Sequence, residues 1–244
     1  MRPPRTLDRC ADVTSEEAWC LSVARTASGL GVAAIGAVSG RICEVTDIAA
    51  PDLLAAQPSL ATLGDELFAC LRVDGVGGFD PIFARVDLNT GGVSSVARDC
   101  EAVVSWQGGL LVTSEFLRPW DFFESFESVE MNQPSSSVQF DHWATRFGTL
   151  DDLVFSSWHA TESIEVFDLA NGGQFVREVT FEDYDGWVHG IDALPDGSLL
   201  ILERNEAIAR FDAVTGDRIS RAALDWVDTE SYYGSVEGLT CFGN

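Results

Sequence analysis

The turn around Asp212, RFDAVTGD, recurs along the chain and limits the possible folds more than any other feature. VFDLANGG stands at Asp168 and RVDLNTGG at Asp87, with a degraded copy, SVEMNQPS, at Glu130 and another, AIGAVSGR, at Gly36. Successive intervals of 51, 43, 38 and 44 residues suit the blades of a β-propeller. The stretch from Trp187 to Leu224 shows what one copy contains. IDAL leads through the Pro195-Asp196-Gly197 turn into LLILE, then IARFDA, the Thr215-Gly216 turn and RISRAAL. Apolar and polar residues alternating between turns mark half-buried antiparallel strands. Strands like LLILE precede the other copies as AWCLSV, LFACLRV, LLVTSEF and LVFSS. The chain therefore reads as all-β: one five-bladed β-propeller over residues 1–244, with four-stranded antiparallel blades. Blade hairpins are expected at 15–48, 59–98, 101–140, 143–181 and 189–224.

The last residues, SVEGLTCFGN, look like an innermost strand with no blade after it, whereas AWCLSV has no innermost strand of that quality before it. Ring closure follows: 236–242 completes the N-terminal blade and removes two exposed sheet edges. The competitor is TLDRCADV as the innermost strand of that blade.

Charge narrows the chemistry. The net charge is −24, and all fifteen basic residues are arginine. Without lysine, Schiff-base and pyridoxal chemistry, a phosphate-loop lysine and serine–lysine hydrolysis are excluded. Such acidity argues against nucleic acid or an anionic membrane as partner and suits a cationic ligand or a saline habitat. No apolar run is long enough for a secretory leader or a membrane span, so a cytoplasmic monomer is expected. Six cysteines without any C-x-x-C spacing then read as buried free thiols. No G-x-S-x-G nucleophile elbow occurs, and Gly29-Leu30-Gly31 is followed by strand rather than helix, against a dinucleotide site.

In antiparallel blades, the turns between strands one and two, and between three and four, share one face. They are short here: PDG, WQGG, VTG, NGG. The opposite loops are long and carry every histidine and tyrosine. Function usually sits on loops that a rigid scaffold displays. The residues leading into the innermost strands ring the channel mouth: Glu237, Gln57 or Ser59, Glu101, His142 and His189. Glu237, Glu101, His142 and His189 form a catalytic acid–base set, since imidazole titrates near neutrality and a desolvated carboxylate rises toward it. Gln57, Trp187, Trp143, Trp158, His159, Trp120 and Tyr184 are candidate substrate-binding residues. The five positions differ between blades, which favours one asymmetric axial site over a lectin with a site per blade. Expected ligands are small polar or amine-bearing molecules or short peptides, held in part by an aromatic lid around Trp120. No cofactor is expected, although His142, His159 and His189 could hold a divalent metal in the channel. A ligand- or peptide-binding propeller without chemistry is the alternative.

The five blades, Val236-Glu237-Gly238-Leu239 and IARFDAVTGDRISRAAL at 208–224 resemble the plant and bacterial type of glutaminyl cyclotransferase. Tyr184-Asp185-Gly186-Trp187 is similar to that family's Gly-Glu-Gly-Trp segment, with aspartate for glutamate. The resemblance implies a five-bladed propeller that converts N-terminal glutamine to pyroglutamate with loss of ammonia. It implies Glu237 as a general acid or base and Trp187 as a pocket wall. The family's Asn-Glu-Leu-Glu-Trp strand has no counterpart here, and histidines stand where amides and carboxylates are expected.

Overall fold

The computed structural model describes residues 10, 17–26, 29–48, 53–75, 78–114, 119–139, 144, 146–158, 162–181, 184, 187–203, 206–226 and 232–242. The chain opens with β1 (Trp19–Thr26), β2 (Gly29–Gly36) and β3 (Arg41–Ile48). Four-stranded sheets follow: β4 (Leu53–Leu63), β5 (Glu66–Gly75), β6 (Gly78–Asp87), β7 (Val93–Ala97); then β8 (Ala102–Trp106), β9 (Gly109–Thr113), β10 (Trp120–Phe123), β11 (Ser136–Val138). Next come β12 (Arg146–Leu150), β13 (Leu153–Ser157), β14 (Ser163–Asp168), β15 (Gln174–Thr180), and β16 (Val188–Ala193), β17 (Ser198–Glu203), β18 (Ala207–Asp212), β19 (Arg218–Ala223). The short β20 (Asp225–Trp226) adds a parallel edge to β3, and β21 (Tyr232–Phe242) pairs antiparallel with β1. These are the five blades of a β-propeller, closed by the C-terminal strand as expected. Of TLDRCADV, only Cys10 lies among the described residues, and its disulfide to Cys43 sets it beside β3 on the outside of the blade.

Each blade is sandwiched between two others, so its middle strands are buried on both faces. This is why β9 and β17 read as continuous apolar runs, while outer strands such as β7 and β19 alternate or lie open to water. The core is accordingly five wedges rather than one mass. Leu21 and Val32 pack on Leu60 and Leu67 between the first and second blades. Ile35 and Ile42 pack on Leu200 and Leu202 where the fifth blade meets the first. Phe83 and Phe123, Trp120 and Phe147, and Phe155 and Phe211 belong to the other three wedges.

The recurring turn now has a physical explanation. The Asp212 carboxylate accepts the N–H groups of Val214 and Thr215, both at 2.8 Å, and Asp87 does the same for Asn89 and Thr90. Side-chain acceptors of this kind hold a turn without help from neighbouring strands. The first blade has no aspartate at the equivalent place. Glu17 reaches in instead, accepting from the N–H groups of Val38 at 2.5 Å and Ser39 at 3.0 Å. At the degraded copy, a five-residue helix, α1 (Phe126–Glu130), replaces the expected turn. Ser125 caps it by accepting the Ser128 N–H, and the Ser128 hydroxyl reciprocates. That capping box, three residues upstream of the expected turn, starts a helix before the turn can form.

The turn glycine also has a packing role. Gly40, Gly91 and Gly216 all adopt positive φ, between 69° and 78°. A Cβ on Gly216 would run into the Thr180 carbonyl of the preceding blade, one on Gly91 into the Thr46 hydroxyl, and one on Gly40 into the Ala223 carbonyl. Gly197 has a similar φ of 84° but open space around it. Gly216→Ala is expected to cost about 2–4 kcal/mol and Gly197→Ala about 1–2, the difference being blade-to-blade contact. Denaturant unfolding of the two variants measures it.

The cysteines overturn the free-thiol expectation. All six are paired, Cys10 with Cys43, Cys20 with Cys241 and Cys70 with Cys100. The spacing hides this because the partners are brought together by blade geometry rather than by sequence proximity. Among the described residues no helix is long and apolar enough to cross a membrane.

Candidate functional site

Five innermost strands, β21, β4, β8, β12 and β16, surround the axis and are tied to one another by side chains. The Ser59 hydroxyl on β4 donates to the Val103 carbonyl at 2.9 Å and accepts the Val103 N–H at 3.0 Å. The Thr149 hydroxyl donates to the Ser105 carbonyl at 3.1 Å, joining β12 to β8. Thr62 and Thr240 meet at 3.3 Å between β4 and β21. Ser22, on β1, donates to the Gly238 carbonyl at 2.7 Å and holds β21 in place.

On the same ring the structure sets a residue not anticipated from the sequence, Arg146, against the His189 backbone and near the charge of Glu237. Arg146 opens β12 and is only 4% exposed. Its Nε donates to the His189 carbonyl on β16 at 2.9 Å. Burial lowers the Arg146 pKa to about 10, and the negative charge of Glu237 works against that fall. The guanidinium therefore remains charged at neutral pH. Glu237 is half-buried on β21. Glu101 is half-buried just ahead of β8, its N–H donating to the Thr113 carbonyl at 2.8 Å. Arg146 lies four residues after His142 in DHWATRF, and a charged residue among the core-facing positions of a strand was the available signal.

The aromatic candidates divide. Trp187 is 40% exposed directly ahead of β16, next to His189 in sequence but one. Trp158 is half-buried at the end of β13, where its carbonyl accepts the Ser157 hydroxyl at 3.0 Å. Trp120 is 2% exposed and packs edge-on to Phe147, with centroids 4.8 Å apart. Tyr184 is buried against Phe181 and Phe211. These two rings serve blade packing. His142, Trp143 and His159 lie outside the described residues, as does the side chain of Gln57. Among the described residues, no group of three or more histidine, cysteine, aspartate or glutamate side chains is arranged to hold a metal.

Deeper along the axis sits Asp192, in the IDAL strand that looked like plain framework. One carboxylate oxygen accepts the N–H groups of Thr149 at 3.0 Å and Ala193 at 2.9 Å, and the other accepts the Cys241 N–H at 2.7 Å. One side chain thus joins three innermost strands. Burial pushes its pKa up to about 7, while the N–H groups of Cys241, Ala193 and Thr149 pull the other way. Between this level and the upper mouth the backbones of β16 and β21 close in. A Cβ on Gly190 would lie 2.7 Å from the Gly238 carbonyl carbon. Gly238 in turn has φ 72° and would meet the Pro58 carbonyl at 2.7 Å.

No family model and no curated protein matches the chain. Among solved structures, a glutaminyl cyclase from Myxococcus xanthus is similar over 69% of this chain and 72% of its own, at 12% identity and a TM-score of 0.49. A chain of a nidogen–laminin complex is similar over 91% of this chain and 98% of its own, at 10% identity and a TM-score of 0.53. At such identities the likeness is one of fold, and the strand pairing states which: a five-bladed β-propeller closed by its own C-terminal strand.

Proposed function

We propose that this propeller is an enzyme with one acid–base site at the upper mouth of the channel, acting on a small polar or amine-bearing substrate. Arg146 carries this reading: a buried guanidinium bonded to the His189 backbone and set against the charge of Glu237. Burying a cation costs several kcal/mol unless it is well partnered, so its presence under the mouth calls for an anionic neighbour. Beside it, the Glu237 carboxylate is the group that accepts a proton or holds an ammonium group. His189, whose imidazole type changes charge near neutrality, supplies the second proton-transfer group. Glu101, at the corresponding end of β8, and His142 complete the set, and Trp187 offers an exposed ring as a pocket wall. Cyclisation, elimination and hydrolysis are all within reach of such groups.

The test is turnover of a panel of small amines, amides and short peptides, with N-terminally glutaminyl peptides at its head because of the cyclotransferase resemblance. Product mass and released ammonia are followed. Glu237→Gln is expected to lower the rate of the folded protein by about 100-fold or more, and also to lower the melting temperature, because Arg146 loses its counter-charge. An unchanged rate in that variant sinks the reading. A propeller that binds without chemistry is the second reading, favoured by the open Trp187 ring. It predicts saturable binding of a panel member with no product from the wild-type protein.

The setting is also a proposal. Disulfides persist where thiols are kept oxidised. Three of them therefore support an oxidising compartment in place of the cytoplasm expected from the lack of a leader-like apolar run. Alkylation of protein taken from its native source without reductant, followed by mass analysis, decides between the two.

A further inference from the structure

We propose that the lower mouth of the channel is a second binding site, for a small ammonium-type cation. A depression of about 390 Å³ lies there, and all five blades contribute to it: Thr62, Trp106, Thr149, Asp151, Pro195 and Cys241 stand for them. It is distinct from the upper mouth, because neither Arg146, His189, Glu237 nor Glu101 is among the described residues that line it. It therefore needs neither the chemistry nor the substrate proposed above.

The lining sets the class of ligand. Among the described residues it holds hydroxyls, the Gln107 carboxamide and one carboxylate, and no arginine. The Thr62 and Thr240 hydroxyls face each other across two strands, and the Thr149 hydroxyl rests on the Ser105 carbonyl. Directly behind Thr149 and Cys241 sits the Asp192 carboxylate, bonded to both backbones. Asp151 stands at the rim, exposed to solvent. Oxygen acceptors together with the Asp151 carboxylate form a region of negative potential, which draws cations. Trp106 adds an aromatic wall; its indole N–H donates to Asp152 at 2.9 Å, which steadies the ring. An aromatic wall beside oxygen acceptors suits an ammonium group, which is held by cation–π attraction as well as by hydrogen bonds. A divalent metal asks for a denser carboxylate set. Among the described residues no such group occurs. The volume accepts an ammonium with a few carbons attached, at the lower end of ordinary ligand pockets.

The experiment titrates methylammonium chloride into the full chain by calorimetry, with sodium and potassium chloride at equal ionic strength as comparison arms. Saturable binding of methylammonium, weaker for potassium and absent for sodium, is expected. Asp151→Asn should weaken it about two- to fivefold, the range of an exposed charge contact. This variant keeps the backbone conformation, since Asp151 has φ 52° and asparagine tolerates the left-handed region. Trp106→Leu should weaken it by about as much through loss of the ring. A crystal soaked in rubidium, an ammonium-sized stand-in, should show its strongest anomalous peak in the depression. Equal heats for methylammonium and sodium overturn the proposal, as does wild-type affinity in Asp151→Asn or a rubidium peak elsewhere.

Discussion

Replacing Cys20 and Cys241 together by serine is expected to lower the stability of the protein by about 4–5 kcal/mol and its melting temperature by roughly 10–20 °C. The pair closes a loop of sequence separation 221, against 33 for Cys10–Cys43 and 30 for Cys70–Cys100. In the chain-entropy account the longest loop removes the most freedom from the unfolded state, though the dependence is logarithmic. The position matters more than the length. Cys20 and Cys241 lie directly opposite in the register of β1 and β21, the pairing that closes the ring. Their neighbours Trp19 and Phe242 stack at 4.3 Å on the same ladder. The matched control, Cys10→Ser with Cys43→Ser, should cost about 3–4 kcal/mol and leave ring closure intact. Thermal unfolding followed by circular dichroism, together with proteolysis of the C-terminal strand, checks both. Protection of β21 in the Cys20/Cys241 variant equal to the wild type would show that stacking and hydrogen bonds close the ring unaided.

Asp192→Ala should be nearly as damaging, with a cost that depends on pH. Removing the carboxylate leaves the N–H groups of Thr149, Ala193 and Cys241 without their acceptor. Each such group costs about 1–3 kcal/mol when buried, so a loss of at least about 3 kcal/mol is expected at pH 5. Burial raises the Asp192 pKa from 3.8 to about 7, so the folded chain holds its proton more tightly than the unfolded one. The stabilisation from that proton is full below pH 3.8 and is lost as pH rises through 7. Between pH 5 and pH 8 the wild type should therefore lose about 2–3 kcal/mol that the variant does not, and the penalty of the substitution should shrink accordingly. Urea unfolding of both proteins at the two pH values measures this. A penalty that grows with pH would mean that the carboxylate is held ionised by its N–H partners and that burial is the lesser effect.

The frame of the molecule was legible because its signals are local. An aspartate that folds back on its own N–H groups, a glycine that must take positive φ, and alternation between them each act within a few residues. The last strand was legible too, since an unpaired innermost strand has few other places to go. What the sequence hid depends on residues far apart. Cys20 and Cys241 look like scattered thiols until the ring brings them together. Asp192 sits in an apolar strand and resembles a solvent-facing residue in an alternating pattern. Its burial comes from β12 and β21 arriving on either side. Arg146 likewise gains its meaning from Glu237, 91 positions further on. The helix at Phe126–Glu130 was missed because a serine pair outcompeted a turn that the degraded repeat no longer specified. Of the candidate site, Glu237 and His189 were chosen from the ring arrangement alone, and both lie on innermost strands, β21 and β16. Trp120 and Tyr184 were chosen as aromatics in long loops, a signal that does not separate a binding wall from a blade filler.

Closure by β21 also fixes an order of events. Its partner β1 emerges from the ribosome more than two hundred residues earlier. During synthesis, four blades can form from contiguous segments while the first waits with an open inner edge. Glu237 arrives on that same last strand, beside the half-cystine that locks it. Completion of the ring and completion of the upper mouth are thus one event. A nascent or C-terminally clipped chain carries neither, so the fold has no partly built form in which the proposed chemistry could begin early.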